Sequence, residues 1–141
     1  MDSLSRIRNE YVEKGHVRLV YKQFPILGQE SLTAAEASEC AAEQDGFWEY
    51  HDRVFEDQAT KRSSLTTEKL VGFAGDIGLD EPSFQTCLSE KRHTDTIYQE
   101  ASMIQSLGIR GTPAFLLNGQ FISGAQPFEV FQKIIDAELE N

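Results

Sequence analysis

The sequence predicts an α/β chain in which a helical block is inserted between the two halves of a small sheet. Three observations predict it. HVRLVYKQF near the start and AFLLNGQFIS near the end are the stretches with strand chemistry. Between them, from about residue 31 to 107, apolar residues recur almost throughout at helical spacing, and PFEVFQKIIDAELEN closes the chain as an amphipathic helix.

Taken in order, residues 2 to 14 read as a helix. Asp2 or Ser3 can cap it, Leu4, Ile7 and Tyr11 share one face, and Gly15 stands where a C-terminal stop belongs. HVRLVYKQF follows as a strand with Val17, Leu19 and Tyr21 on one side, ended by Pro25, which cannot donate to a ladder. Five helices are then expected, from SLTAAEASECAAEQ, GFWEYHDRVFEDQ, TTEKLVGFAGDIG, PSFQTCLSE and RHTDTIYQEASMIQSLG. Pro82 suits the first turn of the fourth. Asn118-Gly119, between two short apolar runs, is the pair that most favours a type I′ hairpin turn. In the last helix Phe128, Phe131, Ile134, Ile135 and Leu139 fall on one face. The expected organisation is residues 1–27 and 105–141 as the sheet-bearing half, with 28–104 as the inserted helical subdomain.

The 141 residues suffice for one domain with a real core. Asp and Glu number 23 against 13 Lys and Arg, and the formal charge of −10 is spread along the chain. That balance argues against a nucleic-acid partner or an anionic membrane surface, both of which select clustered cations. No apolar run is long enough for a transmembrane helix, and MDSLSRIRNEYVEKG lacks the apolar centre of a signal peptide, so the chain as written is expected to be neither exported nor anchored. Phe47, Trp48, Tyr50 and Phe55 read as core and groove-lining aromatics; no cofactor is expected.

VRLVYKQFP, AAEASECAAEQDGFWEYHDRVFE, GLDEPSFQTCL, LGIRGTPAFLLNG and SGAQPFEVFQKIID occur in that order over nearly the whole chain. Together they resemble the DsbA-like thiol-disulfide oxidoreductases of the thioredoxin superfamily. The resemblance implies a thioredoxin-like fold with an inserted helical subdomain. It also implies a cis Thr112-Pro113 bond ahead of the AFLL strand, with Gly111, Thr112 and Pro113 forming the edge that meets an extended, unfolded or reduced protein substrate. In that family a central strand leads into C-x-x-C at the start of the helix that Met1 begins within. Strand and dithiol are therefore expected upstream of residue 1, leaving this chain without its central first strand and without a catalytic residue. Thiol-disulfide exchange needs a nucleophilic thiolate and a resolving thiol, and neither Cys40 nor Cys87 belongs to a C-x-x-C motif. Ser3 or Ser5 could replace a catalytic cysteine, as in glutathione-using relatives of the fold, but no base or glutathione motif supports that.

Cys40 and Cys87 could be a second redox pair, a structural disulfide or two buried thiols; the resemblance, which implies an extracytoplasmic protein, favours the structural disulfide. His16, His51 and His93 fall in three different elements with no ligand spacing, so no metal site is expected. Two functions follow: the larger part of a truncated disulfide oxidoreductase, inactive as it stands, or a non-catalytic module that binds peptides along the cis-proline groove. Loss of the central strand would leave apolar strand edges open to self-association.

Overall fold

The computed structural model describes residues 2–141; Met1, expected to begin inside the first helix, lies outside the described residues. The chain divides into two compact units, one running to Lys22 and resuming at Gly108, the other spanning Gln23–Leu107. These divisions differ from 27/28 and 104/105 for a local reason at the first. The Gln23 side-chain amide donates to Ser38 Oγ and Glu39 Oε1, both at 2.8 Å, and its backbone N–H donates to Glu100 Oε2 at 2.8 Å. A residue so tied belongs to the helices that hold it.

The first unit opens with α1, Asp2–Ile7, which runs into a π-helical turn over Arg8–Val12. Glu13 N–H donates to the Arg8 carbonyl and His16 N–H to that of Tyr11, both with the wider π spacing, and Gly15 at φ 77 ends the run. The unit resumes with β1, Ala114–Leu117, and β2, Gln120–Ser123, paired antiparallel with Phe115 opposite Ile122 and Leu116 opposite Phe121. Asn118 and Gly119, with φ of 48 and 85, make the tight turn between them. Helix α7, Phe128–Glu140, follows. Ile7, Tyr11, Ile122, Phe128, Phe131 and Ile135 form the core, with Phe115 and Leu117 packed against it. Phe115 meets Phe131 edge-on at 4.8 Å, and Tyr11 Oη donates to Asp136 Oδ1 at 2.7 Å.

HVRLVYKQF corrects the sequence reading. Val17–Tyr21 joins no ladder, and the sheet among the described residues is the two-stranded β1–β2 pair. Its alternation is real, since Val17 and Leu19 are half-buried while Arg18 and Val20 are exposed. Alternation selects a face, however, whereas a strand also requires a hydrogen-bonding neighbour, which lies elsewhere in the chain or outside it.

The second unit contains α2, Gln29–Ala42; α3, Phe47–Thr60; α4, Thr67–Asp76; α5, Glu81–Ser89; and α6, Thr94–Ser106. Thr66 accepts from Lys69 N–H and Asp80 from Ser83 N–H, so α4 and α5 begin on side-chain caps, with Pro82 in the first turn of α5. Gln44, just past α2, makes a reciprocal pair with the cap residue: its Nε2 donates to the Asp80 carbonyl at 3.2 Å and Asp80 N–H donates to its Oε1 at 2.8 Å. The core holds Ala37, Cys40, Tyr50, Leu70, Phe73, Phe84, Cys87 and Leu88. Tyr50, fully buried, donates its hydroxyl to the Leu70 carbonyl at 2.9 Å.

Candidate functional site

Gly111, Thr112 and Pro113 form an exposed loop directly before β1, and the Thr112–Pro113 peptide is cis. The Pro113 carbonyl accepts from Gly124 N–H at 2.9 Å, which carries the hairpin pairing past the ends of β1 and β2 and fixes the loop at its C-terminal side. Among the described residues, no hydrogen bond engages the backbone N–H or carbonyl of Thr112. The loop therefore presents an exposed residue whose backbone donor and acceptor are uncommitted, which is what backbone pairing with an incoming chain needs. On the same hairpin, Leu116 and Phe121 form an exposed cross-strand pair, 58% and 51% accessible. The opposite face carries Phe115, Leu117 and Ile122 into the core.

The loop carries no thiol. Both cysteines lie in the second unit, Cys40 in α2 and Cys87 in α5, bridged as a disulfide with Cα atoms 5.9 Å apart. They are 2% and 1% exposed and no cysteine is free, so the chain offers no thiolate to solvent in this state. Ser3 donates its hydroxyl to the Gln126 carbonyl at 2.8 Å and Ser5 is exposed on α1.

The histidines divide. His51 is buried in α3, its Nδ1 2.9 Å from Asp52 Oδ1 and its ring against Trp48 and Phe55, with centroids 5.3 and 4.5 Å away; it is a packed aromatic. His16 follows the π-helical turn in the other unit. His93, the residue before α6, is the one that spacing did not bring to notice: one ring nitrogen and the sulfurs of Cys40 and Cys87 all lie within 4.8 Å of one another. No sequence motif could have found this, because α2, α5 and the start of α6 meet only in the folded chain.

One further buried charge is structural. Asp57 in α3 is 1% exposed, accepts from Ser63 Oγ at 2.5 Å and lies 3.3 Å from Lys69 Nζ. The Ser63 hydroxyl, with Lys69 beside it, holds the carboxyl below the usual aspartate range.

A family model described as thioredoxin matches residues 1–137. The chain is 30% identical over 143 aligned positions to a protein of Bacillus anthracis called probable disulfide bond formation protein D, covering 97% of this chain and 64% of the relative. It thus spans just under two thirds of that relative's length. Its fold is similar to the crystal structure of oxidised BdbD from Bacillus subtilis, with a TM-score of 0.86 at 23% identity over 97% of this chain and 76% of the other. It is also similar to a thioredoxin-like oxidoreductase from Silicibacter pomeroyi, with a TM-score of 0.82 at 24% identity over 99% and 79%.

Proposed function

The chain belongs to the thioredoxin family, and from that premise we propose that Gly111, Thr112 and Pro113 are the substrate-binding edge of a protein thiol-disulfide oxidoreductase acting on exported, reduced or unfolded proteins. The observation that carries the reading is the free backbone of Thr112, exposed ahead of a strand whose far side is packed and whose near side is apolar. An extended polypeptide fits such an edge because every residue offers the same N–H and C=O, so binding tolerates many sequences. The disulfide-forming relative supports the choice of substrate class.

Binding and exchange separate in this chain. A disulfide is passed on when a thiolate attacks one of its sulfurs and the other leaves as thiolate. Cys40 and Cys87 are bridged, buried and not in a C-x-x-C arrangement. Exchange at the Thr112 edge therefore requires a dithiol beyond these two residues, and the chain alone binds without turnover. By the same reading the protein works outside the cytoplasm. The exposed Leu116/Phe121 face and the open edges of a two-stranded sheet also favour pairing of one copy with another.

The test is a titration of the 141-residue chain with a reduced, unfolded protein, read by amide shifts at Gly111–Ala114, beside an insulin-reduction assay. Shifts at the loop with no turnover are expected, and turnover should appear when a strand and C-x-x-C segment are added ahead of residue 1. Shifts at the loop with no activity in the extended chain would favour the second reading, a peptide-binding module without redox chemistry. Turnover by the chain alone that is lost in Cys40→Ala would overturn the proposal.

A further inference from the structure

We infer that reduction of the Cys40–Cys87 bridge creates a metal site for a borderline-soft divalent cation such as Zn2+, with Cys40 Sγ, Cys87 Sγ and the His93 ring as protein ligands and Glu43 beside them as the fourth donor. The donor atoms of the three residues already lie within 4.8 Å of one another. In a tetrahedral site with Zn–S bonds of about 2.3 Å and a Zn–N bond of about 2.0 Å, ligand atoms stand roughly 3.5 to 3.8 Å apart, so small side-chain rotations suffice. Glu43 Oε1 is 3.3 Å from His93 Nε2, which puts the carboxylate beside the ring, where a side-chain rotation brings it to the fourth position.

Three features single out this cluster. His93 Nε2 is withdrawn from solvent and makes no hydrogen bond of good geometry, an imidazole nitrogen whose lone pair or proton lacks a proper partner. Each ligand comes from an ordered element: Cys40 from the last turn of α2, Glu43 from its C-terminal end, Cys87 from α5 and His93 from the position before α6. Burial is graded, since the cysteines are nearly inaccessible while the side chains of His93 and Glu43 are 24% and 35% exposed, leaving access from their side.

Oxidation state gates the site. A bridged sulfur has no thiolate to offer a metal. A dithiol reductant breaks the S–S bond by transferring two electrons and two protons, becoming a disulfide itself and leaving two thiols. Zn2+ then displaces both thiol protons, so metal uptake releases acid and strengthens as pH rises. Arg92, which donates to Glu43 at 3.2 Å, is the fixed cation of the site and orients that carboxylate.

The experiment uses the full chain, reduced with a trialkylphosphine, which takes up the oxygen of water as it cleaves the bridge and adds no competing thiol. Co2+ is added as a spectroscopic probe and Zn2+ is then used to displace it. The expected result is one equivalent of Co2+ with thiolate charge-transfer and tetrahedral d–d bands in the reduced protein and none in the oxidised one. His93→Ala should weaken Zn2+ at least about tenfold, because removal even of an outer-shell partner costs 10- to 100-fold. Thermal unfolding of the reduced wild type should shift upward with Zn2+, a readout independent of whether any variant folds. Absence of the cobalt bands in reduced wild type, or bands and affinity unchanged in His93→Ala, overturns the assignment.

Discussion

Replacement of both cysteines, Cys40→Ala with Cys87→Ala, should lower the stability of the helical unit by about 4 kcal/mol at 25 °C. The bridge closes a separation of 47 residues that contains all of α3 and α4 and the core residues Tyr50, Leu70, Phe73 and Phe84. In the chain-entropy treatment, a loop of that length removes roughly 4 kcal/mol of freedom from the unfolded chain. Domains of this size are stable by only about 5 to 15 kcal/mol, so the loss is a large share of the whole. The assay is urea unfolding of oxidised wild type and the double variant, followed by far-UV circular dichroism. With a slope of about 2 kcal/mol/M, the midpoint should fall by about 2 M, and the slope should rise because an uncrosslinked chain exposes more surface on unfolding. A fall of less than about 1 kcal/mol with an unchanged slope would refute the reasoning, since the unfolded chain would then be no more constrained with the bridge than without it.

Three further outcomes follow from buried groups. Tyr50→Phe should cost about 1 kcal/mol at neutral pH through the lost bond to the Leu70 carbonyl. Burial pushes the Tyr50 phenol far above its usual range, so its contribution is full below pH about 10 and lost as pH rises beyond, and alkaline urea midpoints should fall more gently in the variant. Asp57 behaves oppositely: its carboxyl is held low, so its contribution is present above pH about 4 and lost as pH falls through the depressed value, and Ser63→Ala should make the acid-side loss shallower in a series of midpoints between about pH 5 and 2. Phe131→Ala removes a side chain 2% exposed and stacked edge-on with Phe115, which should cost about 3 to 5 kcal/mol and speed amide exchange at Ala114–Leu117.

The helices of the second unit were legible because their signals are local. Pro82 at the start of α5 and the periodicity of TTEKLVGFAGDIG act within a few residues, and Thr66 and Asp80 cap where such residues should. The Asn118-Gly119 hairpin was legible for the same reason. Val17–Tyr21 was not, because alternation is a local property and strand pairing, which this segment lacks among the described residues, is not. The π-helical turn at Arg8–Val12 also escaped, since apolar spacing barely distinguishes one wide turn from a regular helix. At the site, Gly111, Thr112 and Pro113 could be picked out by resemblance, but the freedom of the Thr112 backbone depends on which neighbours the fold brings to it. His93 beside Cys40 and Cys87 is the extreme case: three residues from separate helical segments, made a cluster by packing alone.

The Gln44–Asp80 pair has a kinetic side. By matching a side-chain amide to a backbone donor and acceptor, it clips the end of α2 to the beginning of α5, near the ends of the helices that carry Cys40 and Cys87. Two thiols on helices so clipped would not diffuse apart after reduction, and each would meet the other at an effective concentration set by the fold, as tethered partners do. When an external disulfide reoxidises the pair, one thiolate attacks it to form a mixed disulfide and expels the first external thiolate. Attack by the other cysteine then closes the bridge intramolecularly and expels the second, outrunning reversal by dilute external thiol. With a small-molecule disulfide supplied as the oxidant, Gln44→Ala should lengthen the time for which thiols remain open to alkylation in a timed trapping assay, even where the equilibrium between open and closed forms hardly moves.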